Sequence, residues 1–181
     1  AAKAYAGTFR QPGATYRLHR GDPMQKREEV APDAIEVIGT LSLDTKTAEQ
    51  QRRLAMARWI ASKKNPLTAR VMVNRIWLHL FGKAIVRSPS NFGSLGEKPT
   101  HPLLLDWLAA TFVESGWSIK SLHRRIMTSA TYQMSSQVDE KKFAADGDNR
   151  LIWRMNPRRM DVEVWRDSLL AVTGELDVTI G

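Results

Sequence analysis

The sequence predicts a mainly α domain: about five helices packed around a central one at about 66–81, with an extended N-terminal arm holding a short strand. Three observations carry this. From Thr47 onward, apolar residues recur at three-and-four spacing, in runs opened by Ser, Thr or Asp and closed by Gly. One of those runs, Pro66 to Phe81, is apolar around most of the helical cylinder, the signature of a helix enclosed by its neighbours. Alternation of period two appears only in the arm, at "ATYRLHRGDP", where Tyr16 and Leu18 alternate with Arg17 and His19.

Taken in order, residues 1–45 form the arm, which is expected to lie across the helical body of residues 46–181. Gly21-Asp22-Pro23 is expected to end its strand, because proline has no amide hydrogen for a ladder, and the rest through Thr40 reads as irregular. Thr47 is placed to cap a first helix through about Ala61. Asn65-Pro66 opens the second, whose stripe is Ala69, Met72, Val73, Ile76 and Leu80, and Gly82 closes it in a left-handed conformation. A third helix, about Pro102 to Ser115, buries Leu104, Leu105, Leu108 and Phe112. It is expected to rely on Thr100 and Pro102 for its start, since Leu103 stands where a capping-box acid would be. Gly116 ends it. Ser118 caps a fourth helix to about Tyr132, with Ile119, Leu122, Ile126 and Ala130 inward. Residues 135–150 are polar and read as a mobile loop. Asp161 opens a last helix to about Val172, with Trp165 and Leu169 inward and Gly174 at its end.

Composition narrows the function classes. The 181 residues contain no cysteine, which excludes disulfides, cysteine-based zinc sites and covalent haem attachment within this piece. No apolar run is long enough for a transmembrane segment. Ala1 to Gly7 reads like the interior of a longer chain. The net charge of +8 is concentrated: residues 46–135 carry 14 basic and 4 acidic side chains, whereas residues 1–45 balance and residues 136–181 are slightly acidic. A basic middle suits an acidic protein or an anionic polymer.

Three groups of residues are candidates for chemistry. The loop "NFGSLGEKPTHP" (91–102) resembles a phosphate loop only superficially: Glu97 sits beside Lys98, and Pro99 removes an amide donor. Its glycines are expected to supply positive φ. Together with the second helix it offers ligand-binding candidates in Arg70, Asn74, Asn91, Lys98 and His101, with Arg70 or Arg75 also able to pair with Asp106 or Asp167. On the fourth helix, Lys120, Arg124 and Arg125 are candidates for contact with a polyanion; the turn and helix in "ESGWSIKSLHRRIMTS" resemble a DNA-binding helix pair. The four histidines, His19, His79, His101 and His123, show no i, i+3 or i, i+4 pairing, so no metal site is predicted. No catalytic residue can be assigned.

The strings "NPLTARVMVNRIWLHLFGKAIVRSPSNFGSLGEKPTHPLLLDWLA", "ESGWSIKSLHRRIMTSATYQMSS" and "NRLIWRMNPRRMDVEVWRDSLLAVTGELD" resemble a planctomycete secreted-domain family of unknown function. The likeness runs through nearly all of residues 15–178, and "RGDP" at Arg20 to Pro23 fits the family's arm. The resemblance implies an extracytoplasmic location, periplasmic or at the cell surface. It also implies a place at the C-terminal end of large proteins that often carry a cytochrome c-like domain elsewhere; no cofactor is expected in this piece. It supplies no catalytic residues. The leading expectation is a non-catalytic interaction or scaffold module that docks an acidic partner or polyanion through the basic middle. An enzyme domain with a polar site where Arg70, Asn74, Asn91 and His101 converge is the alternative. A nucleic-acid-binding helix pair is the second, disfavoured by the implied compartment.

Overall fold

The computed structural model describes residues 7, 8 and 10–179. It is mainly helical: a two-stranded antiparallel hairpin is followed by six helices. Strands β1 (Tyr16–His19) and β2 (Asp22–Glu29) pair in the register Tyr16↔Glu29, Leu18↔Lys26 and His19↔Asp22. Positive φ at Arg20 (50°) and Gly21 (81°) gives the turn the twist that matches paired strands. The first strand ends at this turn, as expected, but the irregular reading of the residues that follow it is corrected: Asp22 and Pro23 open a second strand. The chain turns at Arg20-Gly21 and resumes as β2, and a two-stranded ribbon has outer edges on which a missing donor costs no ladder bond.

The core is built by three helices, α2 (Thr68–Phe81), α3 (Pro102–Glu114) and α4 (Ile119–Met127). Val73, Ile76 and Trp77 of α2 meet Leu105, Leu108 and Phe112 of α3, and Leu122 and Ile126 of α4 join them. Ile85 and Val86, just past α2, complete the cluster. Trp77 stacks on Phe81 with ring centroids 4.1 Å apart, and Tyr132 meets Phe81 edge-on at 5.5 Å. Asn65 starts α2 as its sequence position suggests, its Oδ1 accepting from the amides of Leu67 (3.0 Å) and Thr68 (3.3 Å). Gly82 ends it at φ 75°. Ser118 caps α4 by accepting from the Ser121 amide at 3.2 Å.

Several expectations fail. Thr47 does not cap α1 (Glu49–Ile60); the residue before the helix is Ala48, and the Thr47 carbonyl is taken by Gln11 and Arg52 instead. Thr100 does not cap α3. Its amide and hydroxyl both turn to the Ile85 carbonyl, at 2.9 and 3.3 Å, so α3 starts on Pro102 without a side-chain cap. Helix α4 stops at Met127 rather than near Tyr132, and Ile119 and Ala130 are exposed. Met72 lies on the outer side of α2. Within 135–150, where no helix is expected, Asp139 caps a short α5 (Glu140–Ala145). Most consequentially, α6 (Val162–Thr173) buries none of its residues: Trp165 and Leu169 face outward. Helix α1 also buries none, so the bundle around α2 is formed by α3 and α4 rather than by all the helices.

The segment after α5 closes the C-terminal end of α2. Asn149, buried at φ 53°, accepts from the Trp153 amide (2.9 Å) and donates to the Arg154 carbonyl (2.8 Å) and to Asn156 Oδ1 (3.1 Å). Asn156 donates to the Phe81 carbonyl at 3.0 Å, and Arg158 donates to the His79 carbonyl. These side chains satisfy carbonyls that a helix end leaves open, and the arginine places a cation where the helix dipole favours it. The Asp146 carboxylate accepts from the amides of Leu151 (2.7 Å) and Arg150 (2.8 Å); those bonds hold its carboxyl below the usual aspartate range. Among the described residues no helix is long and apolar enough to cross a membrane.

Candidate functional site

Two regions hold the sequence-predicted site residues, and they differ in kind. The first surrounds the N-terminal half of α2 and the 84–101 connection. Asn74 is fully buried there. Its Nδ2 donates to the Val86 carbonyl at 3.0 Å and its Oδ1 accepts from the Val86 amide at 2.8 Å, so the whole amide is spent on holding backbone. One turn earlier, Arg70 donates from Nε to Asp106 Oδ1 and from Nη1 to the Pro66 carbonyl, both at 2.6 Å. That pairing ties α2 to α3.

Arg70 and Asp106 line a shallow groove of about 350 Å³ with Glu97 and the apolar side chains of Leu67, Phe92, Pro99 and Pro102. Asn74, Asn91, Lys98 and His101 are not in its lining. Asn91 serves its own loop, accepting at Oδ1 from the Gly93 amide at 3.0 Å. Lys98 is exposed, and His101 is half-buried with Nδ1 3.0 Å from the Thr100 hydroxyl. Of the four residues expected to converge, Arg70, Asn74, Asn91 and His101, only Arg70 lines this groove.

The loop's glycines work by space rather than by φ. Neither Gly93 nor Gly96 has positive φ, which corrects that expectation. A Cβ on Gly96 would lie 2.1 Å from the Asn91 carbonyl oxygen and 3.0 Å from Ser88 Oγ, whereas one on Gly93 would meet only Asn91 Oδ1 at 3.4 Å. Ser88 clamps the same corner, donating to the Asn91 carbonyl and accepting from the Glu97 amide, each at 2.8 Å. Gly96→Ala is expected to force this corner apart at a cost of about 1–3 kcal/mol, as overpacking does. Gly93→Ala should change stability by only a few tenths, the scale of ordinary surface substitutions. Chemical denaturation of the two variants checks the contrast; equal effects would mean that the close approach does not matter.

The second region is the outer side of the α3–α4 pair. Ser118 and the left-handed pair Gly116 (φ 70°) and Trp117 (φ 61°) set the tight turn that brings α4 back along α3. Leu122 and Ile126 point into the core, which leaves Lys120, Arg124 and Arg125 on the solvent side, all exposed. Among the described residues none of the three pairs with a carboxylate. The Arg125 guanidinium lies over the Trp107 ring of α3, 5.4 Å from its centroid, and that ring is half exposed. Leu103, one turn before Trp107, is 84% exposed, an apolar side chain standing in solvent. Sequence reading did not single out Trp107. The Leu103–Trp107 spacing of four was its only signal, and it becomes informative once α3 and α4 are known to lie side by side.

Among the described residues no cluster of three or more His, Asp or Glu side chains has the arrangement of a metal site. No curated protein and no solved structure matches the chain. Residues 52–181, well over half of the chain, match the model of the PSD1 family, described as "Protein of unknown function (DUF1553)", and the chain belongs to that family.

Proposed function

We propose that this domain is a non-catalytic docking module that holds an acidic partner or polyanion against the outer side of α4. The observation that carries the reading is the exposed set Lys120, Arg124 and Arg125, uncompensated by carboxylates and set beside the half-exposed ring of Trp107. A polyanion holds a layer of condensed counterions, and cations left free on a rigid helix release them by neutralising its charges, so binding gains free energy from counterion release. Support for a setting outside the cytoplasm, within a larger assembly, comes from the resemblance of residues 15–178 to the planctomycete secreted-domain family.

Affinity for a heparin-like oligosaccharide is expected to fall about 20- to 40-fold for a fourfold rise in salt, the response of three displaced counterions. Replacing Lys120, Arg124 and Arg125 together by alanine should remove most of that dependence. Titration at stepped ionic strength measures both. Binding that is indifferent to salt, or unchanged in the triple variant, would dispose of electrostatic docking on α4.

A further inference from the structure

Helix α6 carries an apolar stripe that the described residues of its own chain leave uncovered. Val162, Trp165, Leu169 and Val172 are 75%, 57%, 49% and 88% exposed. Their spacing of three, four and three is that of alternating a and d positions over two heptads, a seam about 15 Å long at the helical rise. Glu163 and Asp167 fall on the opposite side of the helix, so no charge interrupts the seam. Its flanks are charged and complementary: Asp161 occupies the g position before Val162, and Arg166 the e position after Trp165.

We propose that α6 is a self-association helix through which two copies of this chain pair, parallel and in register. The flanking charges decide both the partner and the direction. In a parallel pair the g position of one helix faces the following e position of the other, so Asp161 of each copy meets Arg166 of the other, twice across the two-fold axis. An antiparallel pair would set Arg166 against Arg166. Among the described residues of one chain Arg166 pairs only with its neighbour Asp167, at 3.2 Å with both groups exposed, which leaves the guanidinium able to change partner. The pairing would bury the Trp165 ring, the largest apolar surface that α6 exposes. It is independent of the α4 docking face.

Sedimentation equilibrium of the whole chain between about 10 µM and about 1 mM covers the range expected of so short an interface. A monomer–dimer equilibrium is expected there. Trp165→Ala should weaken it at least tenfold while leaving the helical circular dichroism of the core in place, since α6 buries none of its residues in the chain. Asp161→Arg should weaken it too, and adding Arg166→Asp in the same chain should restore it by exchanging the two charges. The chain lacks cysteine, so Val172→Cys introduces a single thiol. In the parallel pair it should oxidise to a covalent dimer, because d positions face each other. A chain that stays monomeric throughout, or a dimer that Trp165→Ala leaves unchanged, overturns the proposal. Cross-linking that needs a mixture of Val162→Cys and Val172→Cys chains would show antiparallel pairing and overturn the assigned direction.

Discussion

Asn74→Ala is expected to lower the free energy of unfolding by about 2–5 kcal/mol, because it leaves two buried backbone groups without partners, each at about 1–3 kcal/mol. The Val86 amide and carbonyl are bonded by the two ends of one side-chain amide, at 2.8 and 3.0 Å, and Val86 is 3% exposed. The clamp is also specific in polarity. Asn74→Asp retains the acceptor for the amide but faces the Val86 carbonyl with a second oxygen, and it buries a charge, so it should cost at least as much. Arg70→Ala, one turn away on the same helix, is the contrast. Its partner Asp106 is half in solvent, and such pairs contribute about 1 kcal/mol or less. Urea unfolding with unchanged m-values would measure all three. A loss below about 1 kcal/mol for Asn74→Ala would mean that the 84–86 segment relaxes to find other partners.

That contrast shows where the sequence was legible. The three-and-four stripe of α2, the amide of Asn65 at its start and Gly82 at its end are local signals, and the structure follows them. Ser118 behaves the same way. The pairing of Arg70 with Asp106 is one of the four that the sequence leaves open between Arg70 or Arg75 and Asp106 or Asp167. Thr47 and Thr100 carry the same capping hydroxyl as Ser118, yet neither caps: Ala48 stands before α1, and the Thr100 hydroxyl donates to the Ile85 carbonyl. Close approach is invisible to periodicity, so Gly96 looked like a turn residue when its actual constraint is the carbonyl of Asn91. An amphipathic stripe says only that a face is to be covered, not by what. Helix α6 has such a stripe, which predicts a buried face, but the side chains that form the core come mainly from α2, α3 and α4. The α4 cations were legible from their position on a helix whose other face is apolar. Trp107 was not, because its relation to Arg125 exists only between two helices.

The sharpest energetic test of where the core lies compares two large aromatic deletions. Phe81→Ala is expected to cost about 3–5 kcal/mol, the range for removing a buried ring and leaving a cavity. Phe81 is 2% exposed, stacked on Trp77 at 4.1 Å and met edge-on by Tyr132 at 5.5 Å, so its loss removes the shared partner of two other rings. Those rings cannot close the gap without leaving their own positions, Trp77 being fixed within the same helix. Phe81→Leu keeps much of the volume and should recover most of the difference. Trp165→Ala removes a larger ring, but from an exposed face of α6, and at concentrations where the chain is monomeric it should shift stability by no more than about 0.5 kcal/mol. Size alone would rank the two deletions the other way. A Trp165→Ala cost approaching that of Phe81→Ala would place α6 inside the cooperative core; a Phe81→Ala cost below about 1.5 kcal/mol would remove the end of α2 from it.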